Sequence, residues 1–271
     1  MPELPEVETT RRGIEPHLVG HKVSHMVIRQ TQLRWPVPPD MAQEIKGQTI
    51  IAVKRRAKYL LLQTSSHCAI IHLGMSGSLR IVDAMQAAEK HDHVDLVLDT
   101  HQALRLRDPR KFGAVLWTHS DPSDHPLLAN LGIEPLGPQF DGNYLFEHSR
   151  KKSQAVKTFL MDAHHVVGIG NIYANEALYL AGILPQRQAG RISRQRYQRL
   201  AKALQQVLRK AINSGGTTLR DFTKTDGQPG YFALHLNVYG KQDQPCPRCQ
   251  RSITLIKLNQ RSTYYCRKCQ T

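Results

Sequence analysis

The first residues of the chain combine a proline with two carboxylates, a set of groups that can perform covalent chemistry. Pro2 follows the initiator methionine, Glu3 is the next residue, and Glu6 lies three residues further on. Removal of Met1 would expose Pro2 as a free secondary amine. Because an α-amino group has a pKa of roughly 7.7 to 8.0, part of this amine is neutral and nucleophilic at pH 7.

A secondary amine that attacks the anomeric carbon of a sugar gives, once the ring opens, an iminium ion with no N–H proton to lose. The ion stays charged and draws electrons from the adjacent carbons, which favours elimination. Such a reaction needs an acid for the sugar ring and later a base, and Glu3 has the chemistry for both. The alternative, that Pro2 and Glu3 only begin a helix, stays open on these ten residues alone.

Four of the five cysteines lie near the end of the chain, in CPRC at 246–249 and CRKC at 266–269. Two such pairs typically converge on one tetrahedral metal ion. Because four thiolates fill its coordination sphere, the ion would fold the tail and would not hold a catalytic water. We therefore expect one structural Zn²⁺ bound by Cys246, Cys249, Cys266 and Cys269.

The residues between the two cysteine pairs predict a short hairpin. SITLIKL and STYYC read as two strands joined through Asn259, Gln260 and Arg261. A hairpin of this size cannot bury a core of its own, so we expect it to present its tip, with Arg261, to a partner. The fifth cysteine, Cys68, lies in the apolar run CAIIHL and is expected to be a buried strand thiol.

The charge of the chain indicates a polyanionic partner. Its 37 Lys and Arg against 22 Asp and Glu give a formal net charge of +15. Nucleic acid fits this excess because each cation placed on a phosphate releases counterions. A membrane fits less well, since there is no long apolar run, no basic amphipathic helix with an aromatic anchor and no secretory signal. We expect a cytoplasmic protein associated with the nucleoid.

The pattern of elements changes along the chain. One helix is predicted from about Pro5 to Leu18, with Gly13 and Pro16 weakening its second half. Residues 119–142 are rich in Pro, Gly, Asp and Ser and mark a boundary. Beyond it a helix is expected between Ser193 and Gly215, while Gly168 and Gly170 precede another helical run. Residues 22–118 contain eight strand-like runs without intervening helices: KVSHMVIRQ, TIIAVKRRA, KYLLLQT, HCAIIHLG, SGSLRIV, DHVDLVLD, ALRLRD and FGAVLWT. Such spacing favours an antiparallel sandwich or barrel.

Several motifs, in order from the first residue to residue 270, carry a family resemblance. They are MPELPEVETTRRGIEPHL, RRAKYLLL, HLGMSGSLR, KHDHVDL, DPRKFG, GIGNIYANE, GGTTLRDF, DGQPGYF and the cysteine hairpin. This set resembles the formamidopyrimidine-DNA glycosylases, bifunctional base excision repair enzymes. Members remove oxidised purines, including 8-oxoguanine and formamidopyrimidines, and cut the strand by β,δ-elimination.

The resemblance implies an α+β multidomain fold in three parts. Residues 1–130 would form the catalytic domain, an N-terminal helix with an antiparallel β-sandwich. Residues 131–235 would form a helical DNA-binding domain with a helix-two-turns-helix element, and residues 236–271 the zinc hairpin. The implied partner of this monomer is double-stranded DNA with an oxidised purine opposite cytosine.

The resemblance also implies roles for individual residues. Pro2 is the Schiff-base nucleophile and Glu3 the acid that protonates the opening sugar. Lys58 is a proton donor and phosphate contact during β-elimination. Arg261 serves δ-elimination and holds the phosphate beside the lesion.

Other residues would handle the extruded nucleotide, since a glycosylase must flip the base out and fill the hole. The void-filling residues implied by similarity are Met75, Arg110 and Phe112, although Met75 and Phe112 by themselves would also fit a core. Residues 218–231, TLRDFTKTDGQPGY, would close over the flipped base. The phosphate contacts implied by similarity are His91, Arg110, Lys151 and Asn171.

One position departs from the family pattern. Gln250 follows the first cysteine pair where glycine is common, and glutamine is less comfortable at positive φ. Three alternatives stay open: an endonuclease VIII-like glycosylase for oxidised pyrimidines, a non-enzymatic zinc-dependent DNA-binding protein, and an RNA-binding zinc protein.

Overall fold

The computed structural model describes residues 2–216 and 236–271. These residues form two compact units: one contains residues 2–129 and 214–216, and the other contains residues 130–213 and 236–271. The predicted three-domain partition stays a prediction, and the predicted lesion-capping loop at 218–231 lies outside the described residues. Within the described ranges, no helix is both long and apolar enough to cross a bilayer.

The first unit begins with helix α1, Leu4–Leu18. Its apolar side chains Val7, Ile14 and Leu18 are fully buried and lie on one face, which packs against the sheets. Pro5 occupies the first turn, where its missing N–H removes no hydrogen bond. The helix continues through Gly13 and Pro16, so the predicted span is confirmed.

Each of the eight predicted runs forms a strand, and all pairings are antiparallel. Two four-stranded sheets result, with orders β1-β6-β7-β5 and β2-β3-β4-β8. Apolar residues of both sheets and of α1 share one buried core, as in a sandwich. The strands are β1 Val23–Ile28, β2 Ala52–Arg56, β3 Tyr59–Gln63, β4 Cys68–His72, β5 Ser78–Asp83, β6 Asp92–Leu98, β7 Gln102–Arg107 and β8 Ala114–Thr118.

Short elements flank the sandwich. A single helical turn, α2, spans Met41–Glu44 between β1 and β2, so the prediction that no helix lies among the strand runs was wrong at this place. A 3₁₀ turn at Pro122–Asp124 leads into α3, Pro126–Ala129. Cys68 is 2% exposed in β4, as expected for a strand thiol. Burial and the carboxylate of Asp121 raise the pKa of this thiol to about 12, so it stays protonated and unreactive at neutral pH.

The second unit holds four helices and the cysteine hairpin. Helix α7 buries Tyr197, Leu200, Leu204 and Leu208 against α4 and α6. Part of its basic face is structural, because the Arg196 guanidinium donates to the carbonyl oxygens of Gly182 and Thr271. The elements are α4 Gly142–Ser149, α5 Val156–Leu160, α6 Asn171–Ala181, α7 Arg194–Asn213, β9 Thr254–Leu258 and β10 Arg261–Tyr265.

Candidate functional site

The amino end of α1 fixes the two residues with candidate covalent chemistry. Pro2 is buried, and the adjacent Glu3 is 3% exposed and caps the helix in an extended conformation. The Glu3 N–H donates to Glu6 Oε2 at 2.9 Å, and Glu6 is itself 2% exposed. Glu6 therefore holds the backbone of Glu3, a positioning function that the sequence reasoning did not assign.

Lys58 lies in the two-residue turn between β2 and β3, in the same unit. Arg56 pairs with Tyr59 across this turn, and Ala57 supplies the left-handed residue with φ 55°. On the neighbouring strand, burial and the charges of Lys58 and Arg34 lower the pKa of His72 to about 4. Because His72 is neutral at pH 7, its Nδ1 accepts a 3.1 Å hydrogen bond from the Gly74 N–H.

The predicted void-filling residues lie on two loops that the sheet registers bring together. Ser78 of β5 pairs with Arg107 of β7, and His72 of β4 pairs with Ala114 of β8. The loop at 73–77 and the loop at 108–113 therefore run side by side. At Gly74 they approach so closely that a Cβ atom would lie 2.3 Å from the Phe112 carbonyl carbon.

Asp108 holds these two loops in place from a fully buried position. Its Oδ1 accepts from the Ser76 hydroxyl at 2.7 Å, and its Oδ2 accepts from the Gly113 N–H at 2.7 Å. Its own N–H donates to the carbonyl oxygen of His91 at 3.0 Å. Asp108 thus connects the segments that carry Met75, Arg110, Phe112 and His91, a function that its place in the motif DPRKFG did not reveal.

The side chains that these loops present differ in exposure. Phe112 is 45% exposed, which contradicts the alternative that it belongs to the core. The exposed Arg110 places its guanidinium carbon 4.9 Å from the centroid of the Phe112 ring, while Met75 is half-buried. His91 is half-buried at φ 77°. An exposed ring stacked with a guanidinium is suited to a π-faced partner such as a nucleobase.

In the second unit, Asn171 begins α6 directly after the N-cap Gly170. Its Nδ2 donates to the Ser262 carbonyl oxygen at 3.0 Å, and its Oδ1 is buried without a hydrogen-bond partner among the described residues. The buried Lys157 donates to the same carbonyl at 2.9 Å and to Thr263 Oγ1 at 2.7 Å. These contacts fix the hairpin strand that begins with Arg261.

Arg261 is exposed beside a left-handed turn. Asn259 and Gln260 have φ 46° and 61°, and Arg261 pairs with Leu258 across them. Arg261 lines a cavity of about 260 Å³ together with Lys157, Thr158 and Met161 among others. Lys151 is also exposed in this unit, at φ 63° after α4. The turn at 259–260 was predicted from the sequence and is confirmed, whereas Lys157 was not singled out there.

The four cysteines converge as predicted. One sulfur of each lies within 4.8 Å of the others, with Cys246 and Cys269 3.9 Å apart and Cys249 and Cys266 3.4 Å apart. The Tyr179 hydroxyl lies 3.3 Å from the Cys246 sulfur. Four converging thiolates fit one tetrahedral d¹⁰ ion. Gln250 has φ 62°, so glutamine does occupy a left-handed position here.

A further buried carboxylate supports the cysteine hairpin and was missed from the sequence. Glu176 of α6 is 1% exposed and accepts four hydrogen bonds of 2.8–2.9 Å. The donors are the backbone N–H groups of Asn237, Val238 and Tyr239 and the Asn237 amide. From the sequence, this segment was predicted only to be helical, and Glu176 was given no function.

Known proteins match the whole length of the chain. Residues 1–115 match the formamidopyrimidine-DNA glycosylase N-terminal domain, residues 131–223 the H2TH domain of the same proteins, and residues 243–271 the zinc finger found in FPG and IleRS. The formamidopyrimidine-DNA glycosylase of Stutzerimonas stutzeri is 57% identical over 100% of both chains.

Solved structures agree with these matches. A Lactococcus lactis FPG mutant in complex with Fapy-dG-containing DNA is 33% identical, with a TM-score of 0.92 over 99% of both chains. The Lactococcus lactis Fpg in complex with abasic-site DNA is 32% identical, with a TM-score of 0.91 over 99% of both chains. The fold, the cysteine hairpin and the sequence identity over the full length all agree. The chain therefore belongs to the formamidopyrimidine-DNA glycosylase family.

Proposed function

We propose that this DNA repair enzyme is a bifunctional DNA glycosylase and AP lyase that excises oxidised purines through a Schiff base at Pro2. The strand is then cut by β,δ-elimination. The observation that carries this proposal is the buried Pro2 at the amino end of α1, one residue from the buried carboxylate of Glu3. The positive end of the helix dipole disfavours a protonated amine at that place, which keeps the nucleophile available.

The reaction balances with the groups of this chain. After removal of Met1, the Pro2 nitrogen attacks C1′ of the damaged nucleotide as the bond between C1′ and the base breaks, and the proton that the nitrogen loses balances the one that the leaving base takes up. Glu3 protonates the ring oxygen as the sugar opens, which gives the iminium ion. The Glu3 carboxylate can then accept the C2′ proton as the 3′ phosphate leaves. Loss of the C4′ proton expels the 5′ phosphate, and water hydrolyses the remaining iminium ion and frees Pro2. Lys58 serves the first elimination and Arg261 the second.

Exposed side chains of the sandwich unit support the proposal that the damaged nucleotide is flipped out of the duplex. Extrusion of a nucleotide costs a few kcal/mol, which intercalating side chains offset. Phe112 and Arg110 are exposed on a loop braced by Asp108, and Met75 lies on the adjoining loop. We assign Phe112 and Met75 to the emptied space and Arg110 to the orphaned cytosine, whose edge a guanidinium can recognise.

Phosphate contacts are assigned to His91, Arg110, Lys151 and Asn171. Lys151 and Arg110 are exposed cations, while Asn171 stands at a helix N-terminus, where backbone N–H groups favour anions. The Asn171 amide already donates to Ser262, so a phosphate contact from that amide requires exchange of this partner. The net charge of +15 supports the same partner.

Three further proposals concern the metal ion, the DNA substrate, and the state and location of the enzyme in the cell. One structural Zn²⁺ held by the four cysteines would fold the hairpin and supply no reaction step. The similar Lactococcus lactis structures with Fapy-dG and abasic-site DNA support an oxidised-purine duplex as substrate. We assign cytosine as the base opposite the lesion because the exposed Arg110 guanidinium can recognise its edge. We infer that the enzyme works as a monomer on the nucleoid.

Matched duplexes test the proposed substrate. Rates of base release are compared for 8-oxoguanine opposite cytosine, 8-oxoguanine opposite adenine and thymine glycol, and the ends of the cut strand are identified by mass spectrometry. We expect fastest release from 8-oxoguanine opposite cytosine and phosphates on both sides of the gap. Faster release of thymine glycol would instead indicate the pyrimidine-directed branch, and a single unsaturated aldehyde end would exclude δ-elimination.

A further inference from the structure

A cluster of metal-ligating side chains lies at one end of the β2-β3-β4-β8 sheet and takes no part in the proposed reaction. Glu44 ends α2, His67 directly precedes β4, and His119 directly follows β8. The antiparallel register pairs Cys68 with Thr118, so residues 67 and 119 leave their strands at the same end. One ligand atom from each of the three residues lies within 4.8 Å of the others.

Neighbouring side chains orient these three groups. Trp117 Nε1 donates to Glu44 Oε2 at 2.5 Å, and His119 Nε2 lies 3.4 Å from the same oxygen. The His67 ring stacks on Trp117 with centroids 5.1 Å apart and planes 9° apart. Its Nδ1 lies 2.5 Å from Ser66 Oγ and 3.2 Å from Gln48 Nε2, and these two contacts fix the orientation of the ring. Such supporting contacts are typical of metal-bound histidines.

The surroundings leave space for the remaining ligands of an ion. His67 and His119 line an open groove of about 270 Å³ whose wall also includes Thr64, Ser66 and Asp121. Water can enter there and complete a coordination sphere. The His119 side chain is 62% exposed, so its ring can move toward the ligand atoms of Glu44 and His67 when an ion binds.

We propose that Glu44, His67 and His119 bind one divalent first-row transition ion, such as Zn²⁺ or Ni²⁺, with water in the open positions. Two imidazoles and one carboxylate suit these borderline ions better than Mg²⁺ or Ca²⁺, which take oxygen ligands. The site differs from the four-cysteine site, whose thiolates close the coordination sphere. A bound ion would join α2, the β3–β4 loop and the end of β8, and it does not depend on the proposed glycosylase function.

Titration of Ni²⁺ into the zinc-loaded full chain tests this site, followed by calorimetry and by Trp117 fluorescence in a Trp35→Phe background. We expect one Ni²⁺ to bind, to quench Trp117 and to raise the melting temperature. His119→Gln and Glu44→Gln should each weaken this binding about tenfold or more. Both substitutions keep a polar side chain at a partly or fully exposed position, so folding is preserved.

His21→Gln is the matched control, because His21 pairs with Asp99 at 3.3 Å but belongs to neither group of metal-ligating side chains found among the described residues. It should bind Ni²⁺ like the parent. The proposal is overturned if the parent shows no Ni²⁺ binding beyond its zinc. It is also overturned if His119→Gln and Glu44→Gln bind as tightly as the parent, because the ion then lies elsewhere.

Discussion

The Ser76 hydroxyl donates a 2.7 Å hydrogen bond to Oδ1 of the fully buried Asp108, and this contact joins two loops of the sandwich unit. One loop carries Met75 and the other carries Arg110 and Phe112. The side chains proposed to fill the emptied nucleotide position and to contact the orphaned cytosine are thus placed by a fully buried carboxylate. Their rigidity before binding lowers the ordering cost of the complex.

Asp108→Asn tests this bracing function. The variant loses the negative charge and one of the acceptors for Ser76, Arg110 and Gly113, and hydrogen bonds to charged groups contribute about 1.5–3 kcal/mol each. We expect the free energy of unfolding to fall by about that amount and the affinity for an abasic-analogue duplex to fall roughly tenfold. Ser76→Ala, which removes two hydrogen bonds but leaves the Asp108 charge and its contact with Gly113, should have the smaller effect. Unchanged DNA affinity in Asp108→Asn would show that the loops need no such brace.

His72 predicts a specific dependence of stability on pH. The pKa of His72 is lowered from an ordinary value of 6.5 to about 4 in the folded protein. Between pH 6.5 and pH 4, the unfolded chain therefore binds a proton at His72 and the folded protein does not. This contribution to stability is intact above pH 6.5, declines as the pH falls and levels off near pH 4. Relative to His72→Gln, the wild-type free energy of unfolding should fall by about 3 kcal/mol over that range. Urea unfolding of both proteins at pH 7 and pH 4.5 measures this. The same difference in unfolding free energy between wild type and His72→Gln at the two pH values would contradict the prediction.

Gln250→Gly should strengthen the cysteine hairpin. Gln250 has φ 62°, a conformation that costs a non-glycine residue about 1–2 kcal/mol. Removal of the side chain relieves this cost. The greater conformational entropy of glycine in the unfolded chain offsets part of the gain in stability. We expect slower loss of zinc to a chelator, measured with a colorimetric zinc indicator. Gln242→Gly, at an exposed residue without positive φ, should instead hold zinc no better than the parent.

Arg261→Gln should separate the two elimination steps. Arg261 is exposed beside the turn, so its removal leaves the hairpin contacts of Lys157 and Asn171 in place. We expect base release to stay within a few-fold of wild type while δ-elimination falls at least tenfold, visible on a gel as accumulated β-elimination product. Lys257→Gln, also exposed in the hairpin, is the matched control. The same ratio of β- to δ-elimination product in both variants would show that Arg261 does not serve δ-elimination.

Local patterns in the sequence predicted most of the secondary structure. All eight strand runs were recognisable because alternation of apolar residues and punctuation by Gly, Asp and Ser are properties of neighbouring residues. The Cys₄ cluster was predictable for the same reason, since its spacing reflects the geometry of one ion. Helix α1 was predicted from Pro5, which fits the first turn of a helix.

Residues that act through distant contacts were not predictable in this way. The contact of Ser76 with Asp108 joins residues 32 apart and exists because Ser78 pairs with Arg107, a register that neither strand encodes alone. The burial of Glu176 depends on the segment at 237–239 that folds over it. The meeting of His67 with His119 likewise required the pairing of β4 with β8.

The central claim is that the nitrogen of Pro2 becomes bonded to deoxyribose during turnover. Sodium borohydride added during reaction with an 8-oxoguanine duplex, followed by peptide mapping with mass spectrometry, tests it most directly. We expect a single reduced adduct, C1′ of the sugar joined to the nitrogen of Pro2, that is absent in Pro2→Gly or in protein with an uncleaved N-terminal tag. An adduct on Lys58 or another lysine, or none in a chain that still nicks DNA, would contradict the proposed mechanism.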